Sequence, residues 1–169
     1  MATMLTEGER REQILETAAD LLASSGIRTS LREIGDACGI LPGSLYHHFE
    51  SKDALIIELV QRYRDQLDEV AQVAMASLDD GRSVEDQVDA LGEAIAACAV
   101  RNRAALLLTL YEPPATSSPE LVRLAQQAPT GITEAMVKIL DAGRTRGEVR
   151  SSVDAALLAS VKAGIPTGK

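Results

Sequence analysis

Apolar residues recur at helical spacing along nearly the whole chain, and this constrains the fold more than any other feature of the sequence. In the first segment the apolar positions follow i, i+4 and i+7, which places them on one face of a helix. They are Ile14, Leu15, Ala18, Leu21 and Leu22. No segment of any length alternates apolar and polar residues as a half-buried strand does. The sequence therefore predicts an all-α fold.

Local signals predict where the first helices begin and end. Glycine favours helix ends, so the first helix is expected to stop at Gly26 and the second at Gly39. Ser30 with Glu33 has the spacing of a capping box, in which each side chain satisfies the other residue's backbone N–H. Pro42 suits the first turn of a short third helix. Ser51 then precedes a long fourth helix that is predicted to reach residue 78.

The second half of the chain also consists of predicted helices. Residues 83–97 and 101–111 are expected to form two helices, and the Pro-rich segment 112–119 is expected to be a loop. A helix from residue 119 should be kinked or split at 129–131, where proline and glycine occur. Residues 141–152 read as a turn, and 153–163 as a final helix. The predicted organisation is 1–51 as the first domain, 52–78 as a connecting helix and 79–169 as the second domain.

Composition and charge exclude several classes of protein. The 169 residues carry a formal net charge of −8, which disfavours non-specific attachment to nucleic acid or to anionic membranes. Any DNA binding must then use a local surface. No apolar run reaches the ~20 residues that span a bilayer, and the first residues lack the apolar core of a signal peptide. With only two cysteines, the sequence indicates a reduced, cytoplasmic protein without a membrane partner.

Residues 30–49 have the pattern of a helix-turn-helix, two short helices joined by a glycine-bearing turn. Ile34, Ile40 and Leu45 are the apolar positions that would pack the two helices together. In this motif the second helix lies in the DNA major groove and presents its N-terminal residues to the base edges. Here that recognition helix is predicted at 42–49.

The segment "SLREIGDACGILPGSLYHHFESKDAL" (30–55) resembles the TetR family of bacterial transcriptional regulators. The resemblance is carried by Ile34, Gly39, Ile40, Gly43, Ser44, Leu45, Tyr46, His48, Phe49, Ser51, Lys52 and Leu55. It is strong over about residues 10–60. It implies an N-terminal DNA-binding domain followed by a helical domain that binds a small molecule and dimerises.

The resemblance also implies roles for individual residues on the DNA side. Those expected to contact phosphates are Thr29, Ser30, Arg32, Tyr46 and Lys52. Those expected to lie near the bases are Pro42, Gly43, Ser44 and His47. The implied partner is double-stranded DNA with a palindromic operator, bound by a homodimer. Arg10 and Arg11 have two open interpretations, phosphate contact or an ordinary solvated surface.

The sequence contains no set of residues that predicts catalysis or metal binding. His47 and His48 are adjacent, so their side chains point about 100° apart on a helix and cannot face one ion together. There is no Ser-His-Asp set, no P-loop and no GxGxxG. We therefore expect no catalytic residues, no metal and no cofactor, and expect that the protein is not an enzyme.

The second domain is expected to bind a small apolar or acyl-type effector, because its helices carry aliphatic side chains and few aromatic ones. The predicted pocket residues are Leu91, Ile95, Leu106, Leu110, Tyr111, Leu124 and Met136. Dimerisation is expected to use residues near 119–142 and 153–163. The preferred hypothesis is a ligand-responsive repressor. Two alternatives are a shortened relative that heterodimerises without binding an operator itself, and an α-helical enzyme or carrier of small molecules.

Overall fold

The computed structural model describes residues 6–110, 117–127 and 130–149, and these ranges contain eight α-helices and no strand. The predicted all-α fold is confirmed. The helices are α1 Glu7–Ser25, α2 Leu31–Ala37, α3 Pro42–His48, α4 Lys52–Ala76, α5 Val84–Arg101, α6 Arg103–Leu110, α7 Pro119–Gln126 and α8 Thr130–Arg146.

Serine and threonine hydroxyls begin most of these helices. In each case the hydroxyl accepts a hydrogen bond from a free backbone N–H of the first turn, which stabilises the helix start. These residues are Thr6, Ser30, Ser51, Ser83 and Ser118. The predicted capping box of Ser30 and Glu33 is present, and Gly26 and Gly39 end their helices at φ of 83° and 65°. A side chain is disfavoured at such positive φ, so glycine is required at both helix ends.

The structure corrects two predicted helix ends and confirms a predicted interruption. The helix expected at 83–97 continues to Arg101 as α5. The turn predicted at 141–152 is wrong for its first half, because α8 continues to Arg146 and ends before Gly147, whose φ is 77°. The helix predicted from residue 119 is indeed in two pieces, α7 and α8. The final helix predicted at 153–163 lies outside the described residues.

The chain divides into two compact units, and the first comprises Met1–Tyr63 with Arg101–Gln127. Its core is mainly aliphatic, with Phe49 and Tyr63 as buried aromatic residues. Ile14, Leu15, Ala18, Ile34, Leu45, Phe49, Leu55 and Ile56 are all at most 2% exposed. Helix α1 contacts α2 and α6, and α6 contacts α7. The domain boundaries expected at residues 51 and 78 stay a prediction.

The second unit comprises Arg64–Val100 with Ala128–Lys169. Its buried cluster is Ala71, Val84, Leu91, Ala135, Ile139 and Leu140. A Cβ at Gly143 would lie 2.1 Å from Cγ2 of Val84, so α8 needs a residue without a side chain there. The buried amide of Gln87 donates to the carbonyl oxygens of Ser77 and Leu78, which closes the end of α4 against α5.

Candidate DNA-binding surface

Helices α2 and α3 pack closely across a four-residue turn, residues 38–41. The amide of Ile40 donates to the Gly35 carbonyl at 3.0 Å. A Cβ at Gly35 would lie 3.4 Å from the Ile40 carbonyl oxygen and 3.7 Å from Cδ2 of Leu45. These are ordinary van der Waals distances, so the turn and α3 both lie directly against α2 at Gly35. Ile34 and Leu45 are completely buried and hold the two helices together.

Helix α3 has one buried face and one exposed face. Leu45 is completely buried and Phe49 is 2% exposed, whereas Tyr46 is 56% exposed. Ser44 and His47 are exposed as well. Phe49, which follows α3, thus lies in the core, whereas Tyr46 points outward. The exposed face carries hydroxyl and imidazole groups that can donate or accept hydrogen bonds.

The exposed face also includes two backbone features predicted to meet DNA. Pro42 is the first residue of α3, and Gly43 follows it as an exposed residue. A Cβ at Gly43 would meet no atom within 4 Å, so its backbone is open to an approaching molecule. The approach of the start of α3 to the bases of the major groove stays a prediction.

The predicted phosphate contacts before α2 are engaged within the protein. The Thr29 side chain is 5% exposed, and its hydroxyl donates to the Gly26 carbonyl at 2.9 Å. The Ser30 hydroxyl is exposed but donates to a carboxylate oxygen of Glu33 at 2.7 Å. Hydrogen bonds from the Ser30 backbone and side chain hold the pKa of Glu33 below its ordinary value. Phosphate contact by Thr29 and Ser30 stays a prediction, and both residues have a structural role in closing the turn before α2.

Two of the predicted cationic contacts differ in how they are held. The ammonium group of Lys52 donates to the carbonyl oxygen of Ile27. Burial lowers the pKa of Lys52, and the charges of Asp53 and Glu33 oppose that effect. Arg32 is exposed on the first turn of α2. Its guanidinium is therefore the more accessible of the two to a phosphate group.

A cluster of charges between α1 and α4 supports the end of the recognition helix. The guanidinium of Arg11 lies over the Phe49 ring, with its central carbon 4.6 Å from the ring centroid. It also donates to both carboxylate oxygens of Glu58, and Arg62 donates to the same carboxylate at 3.0 Å. Arg62 pairs further with Glu12. The Arg11 side chain thus packs on Phe49 and pairs with an acid, and its two interpretations, phosphate contact and solvated surface, both stay predictions.

The charge cluster affects the acid at its centre. Burial raises the pKa of the Glu58 carboxyl, but the hydrogen bonds and positive charges of Arg11 and Arg62 outweigh burial, so the pKa lies below its ordinary value. Sequence spacing did not indicate this cluster, because Arg11 and Glu58 are 47 positions apart. Arg10 is also engaged, since it donates to Gln13 at 2.6 Å.

The predicted effector residues fall in both units. Leu91, Ile95 and Met136 belong to the second unit, whereas Leu106, Leu110 and Leu124 belong to the first. Tyr111 lies outside the described residues. Within the second unit, a cavity of about 110 Å³ is lined by Val70, Val73, Ala74, Leu91, Ala94 and Ile139, with Ser77, Arg82, Gln87 and Ala90 completing its wall. The predicted pocket as a whole stays a prediction.

The described ranges contain no group of three His, Cys, Asp or Glu residues able to hold a metal ion. Within the same ranges, every helix is too short or too polar to cross a lipid bilayer.

The chain is all-α, and its short helix α3 exposes Gly43 and Ser44 beside the close-packed helix α2. This arrangement is that of a helix-turn-helix DNA-binding protein. Residues 14–59 match the family described as bacterial regulatory proteins, tetR family. The transcriptional repressor KstR2 of Rhodococcus jostii (strain RHA1) is 33% identical over 150 residues, which cover 88% of this chain and 72% of that relative. The chain belongs to the TetR family and is a DNA-binding transcriptional regulator.

Two further comparisons show how the similarity is distributed. KstR2 of Mycobacterium tuberculosis (strain ATCC 25618 / H37Rv) is 46% identical over 71 residues, which cover 37% of this chain and 36% of that relative. The solved structure of the ketosteroid transcriptional regulator KstR2 of Mycobacterium tuberculosis superposes with a TM-score of 0.66 at 26% identity, covering 97% of this chain and 87% of that one. These relatives are transcriptional regulators.

Proposed function

We propose that the protein is a ligand-responsive repressor that binds a palindromic operator as a homodimer and leaves it when a small apolar or acyl-type effector binds. The observation that carries this proposal is the exposed face of α3, with Ser44, Tyr46 and His47 directed outward from a buried Leu45 and Phe49. In this proposal Ser44 and His47 read bases and Tyr46 contacts a phosphate.

The dimer and the palindrome follow from the small size of this surface. The reading helix has seven residues, so one copy contacts only a few base pairs. Two copies related by a two-fold axis would engage half-sites ~34–36 Å apart on one face of the DNA and gain affinity through their connection. Since its partner is the chromosome, we place the protein in the cytoplasm.

The charges of the N-terminal region lead to an unusual expected salt dependence. Residues 1–52 contain five basic and eight acidic residues. Arg10, Arg11 and Lys52 donate to protein groups, whereas Arg28 and Arg32 are exposed and have no ion pair among the described residues. If Arg28, Arg32 and Lys52 each neutralise one phosphate, a dimer neutralises about six and the slope of log K against log salt is about −5. A slope near −10 would contradict this account.

The aliphatic wall of the second unit supports an apolar effector. Val70, Leu91 and Ile139 line its cavity of about 110 Å³. Typical ligand sites measure about 300–1,000 Å³, so we expect effector binding to enlarge this space. The Mycobacterium tuberculosis neighbour is a ketosteroid regulator, and a ketosteroid is an apolar molecule of suitable chemistry. Ketosteroids and fatty acyl compounds are therefore the first effector classes to test.

The decisive experiment is selection of bound sequences from a random DNA pool, combined with sedimentation of the free protein. An enriched inverted repeat and a stable dimer are the expected results. A protein that enriches no sequence would contradict the proposal and favour the shortened heterodimer partner. Release of the selected operator by ketosteroids or fatty acyl compounds, measured by fluorescence anisotropy, then tests the effector. Release by none of them would remove the effector from the proposal and leave DNA binding intact.

A further inference from the structure

We infer that Leu41, the residue before the recognition helix, reads the methyl group of a thymine in the major groove. The inference rests on the proposed operator binding and identifies a specificity residue that the sequence analysis did not single out. Two independent features of Leu41 lead to it, its exposure and its position at the start of α3.

The first feature is exposure. Leu41 is 77% exposed, immediately before the surface formed by Gly43, Ser44 and Tyr46. A leucine left in water loses the free energy that burial would provide. Leu45, four residues further along in α3, is completely buried, whereas Leu41 is not. Contact with an apolar group outside the protein would remove this side chain from water.

The second feature is the choice of residue at a helix start. Leu41 is the N-cap residue of α3 and its side chain makes no capping hydrogen bond. Five other described helices begin at residues whose hydroxyls cap them, namely Thr6, Ser30, Ser51, Ser83 and Ser118. Leucine is among the poorest N-cap residues, and serine is among the best. Leu41 is therefore unfavourable for folding in two respects, and a role in binding accounts for it.

The chemistry of the reading surface points to thymine. The seven residues of α3 include no Arg, Lys, Asn or Gln, which are the side chains that form bidentate bonds with guanine or adenine. In the major groove the 5-methyl group of thymine is the apolar group that distinguishes one base from the others. An aliphatic side chain at the N-terminal end of the reading helix is suited to contact it.

The test is a thermodynamic cycle on the selected operator. Wild type and Leu41→Ala are titrated with operators in which each thymine of the half-site is replaced, one at a time, by deoxyuridine, which lacks only the methyl group. At one thymine, the replacement should weaken wild-type binding about fourfold for each half-site, as expected for one buried methyl group. Leu41→Ala should weaken binding to the thymine operator by at least the same factor and show no further loss with deoxyuridine.

Two further variants separate reading from folding. Leu41→Ser places a capping residue at the start of α3, so it should raise the urea midpoint of the free protein while lowering operator affinity. Val100 is an aliphatic residue with 78% exposure in the second unit, and Val100→Ala should leave the cycle unchanged. A leucine with only a structural role would not give opposite effects on stability and affinity.

The outcomes separate this inference from the proposed function. If wild type selects an inverted repeat but Leu41→Ala and deoxyuridine act independently at every thymine, the inference is overturned and the repressor stands. If the chain enriches no operator at all, both are overturned.

Discussion

Gly43→Ala is expected to make the protein more stable and a poorer DNA binder. Gly43 is the second residue of α3 and has no positive φ. A Cβ there would meet no atom within 4 Å, so alanine introduces no clash in the free protein. Alanine is favoured over glycine by about 0.8–1.0 kcal/mol inside a helix, and removing glycine also reduces the entropy of the unfolded chain. Because Gly43 lies in the first turn, we expect a gain of about 0.5–1 kcal/mol.

The same methyl group should reduce DNA affinity. If the backbone at Gly43 approaches the base edges, an added methyl creates an overpacked contact that costs about 1–3 kcal/mol. The dissociation constant is therefore expected to rise by about fivefold to a hundredfold. Stability is measured by urea denaturation of the free protein, and affinity by fluorescence anisotropy on the selected operator.

Gly92→Ala is the matched control. Gly92 is an exposed helical glycine in α5, and a Cβ there also meets no atom within 4 Å. It should raise stability by about 1 kcal/mol and leave operator affinity unchanged. Unchanged or tighter binding by Gly43→Ala would refute the reasoning that this face meets DNA. A loss of stability in both variants would refute the helix argument itself.

Three other substitutions test the described contacts. Glu58→Gln should lower the free energy of unfolding by urea at pH 7 by about 1 kcal/mol. This value is kept small because the Arg11 and Arg62 side chains are 39% and 37% exposed, so solvent screens their charges. Glu16→Gln is the control, because Glu16 is an exposed residue of α1 and its substitution should cost almost nothing. Folding lowers the pKa of Glu58, so its carboxylate contributes to the free energy of unfolding above the ordinary pKa. This contribution should disappear as the pH falls through the pKa of Glu58 in the folded protein. Gly143→Ala should cost about 1–3 kcal/mol through contact with Val84, and adding Val84→Ala should recover part of that loss in the same urea assay. Ser30→Ala should lower the free energy of unfolding by about 1 kcal/mol because it removes the helix cap, whereas Ser30→Gly should lower it by only a few tenths. Reduced operator affinity of Ser30→Gly would therefore identify a phosphate contact of the Ser30 hydroxyl.

Features that depend on neighbouring residues could be predicted from the sequence. The capping box of Ser30 and Glu33, the helix ends at Gly26 and Gly39, and the start of α3 at Pro42 are all present. Each is a short-range effect, in which a hydroxyl satisfies an N–H nearby or a glycine adopts a φ that other residues avoid. The division of α3 into buried and exposed faces follows for the same reason, from its helical period.

Features that depend on distant residues could not be predicted in this way. Gly143 falls in the segment predicted to be a turn, but it lies inside α8, where Val84 leaves no space for a side chain. The place of Arg11 over Phe49 depends on how α1 packs against α4, which no local pattern specifies. The same holds for α6, which joins the first unit by packing on α1.

The separation of buried and exposed positions on α3 has a consequence for how such regulators diversify. Leu45 and Phe49 hold the scaffold, whereas Ser44 and His47 contribute nothing to its core. After a gene duplication, one copy can therefore change its exposed residues and acquire a new DNA target while every intermediate sequence still folds. Substitutions at Leu45 and Phe49 destabilise the fold. Changes of DNA target in this lineage are therefore expected to accumulate at the exposed positions of α3.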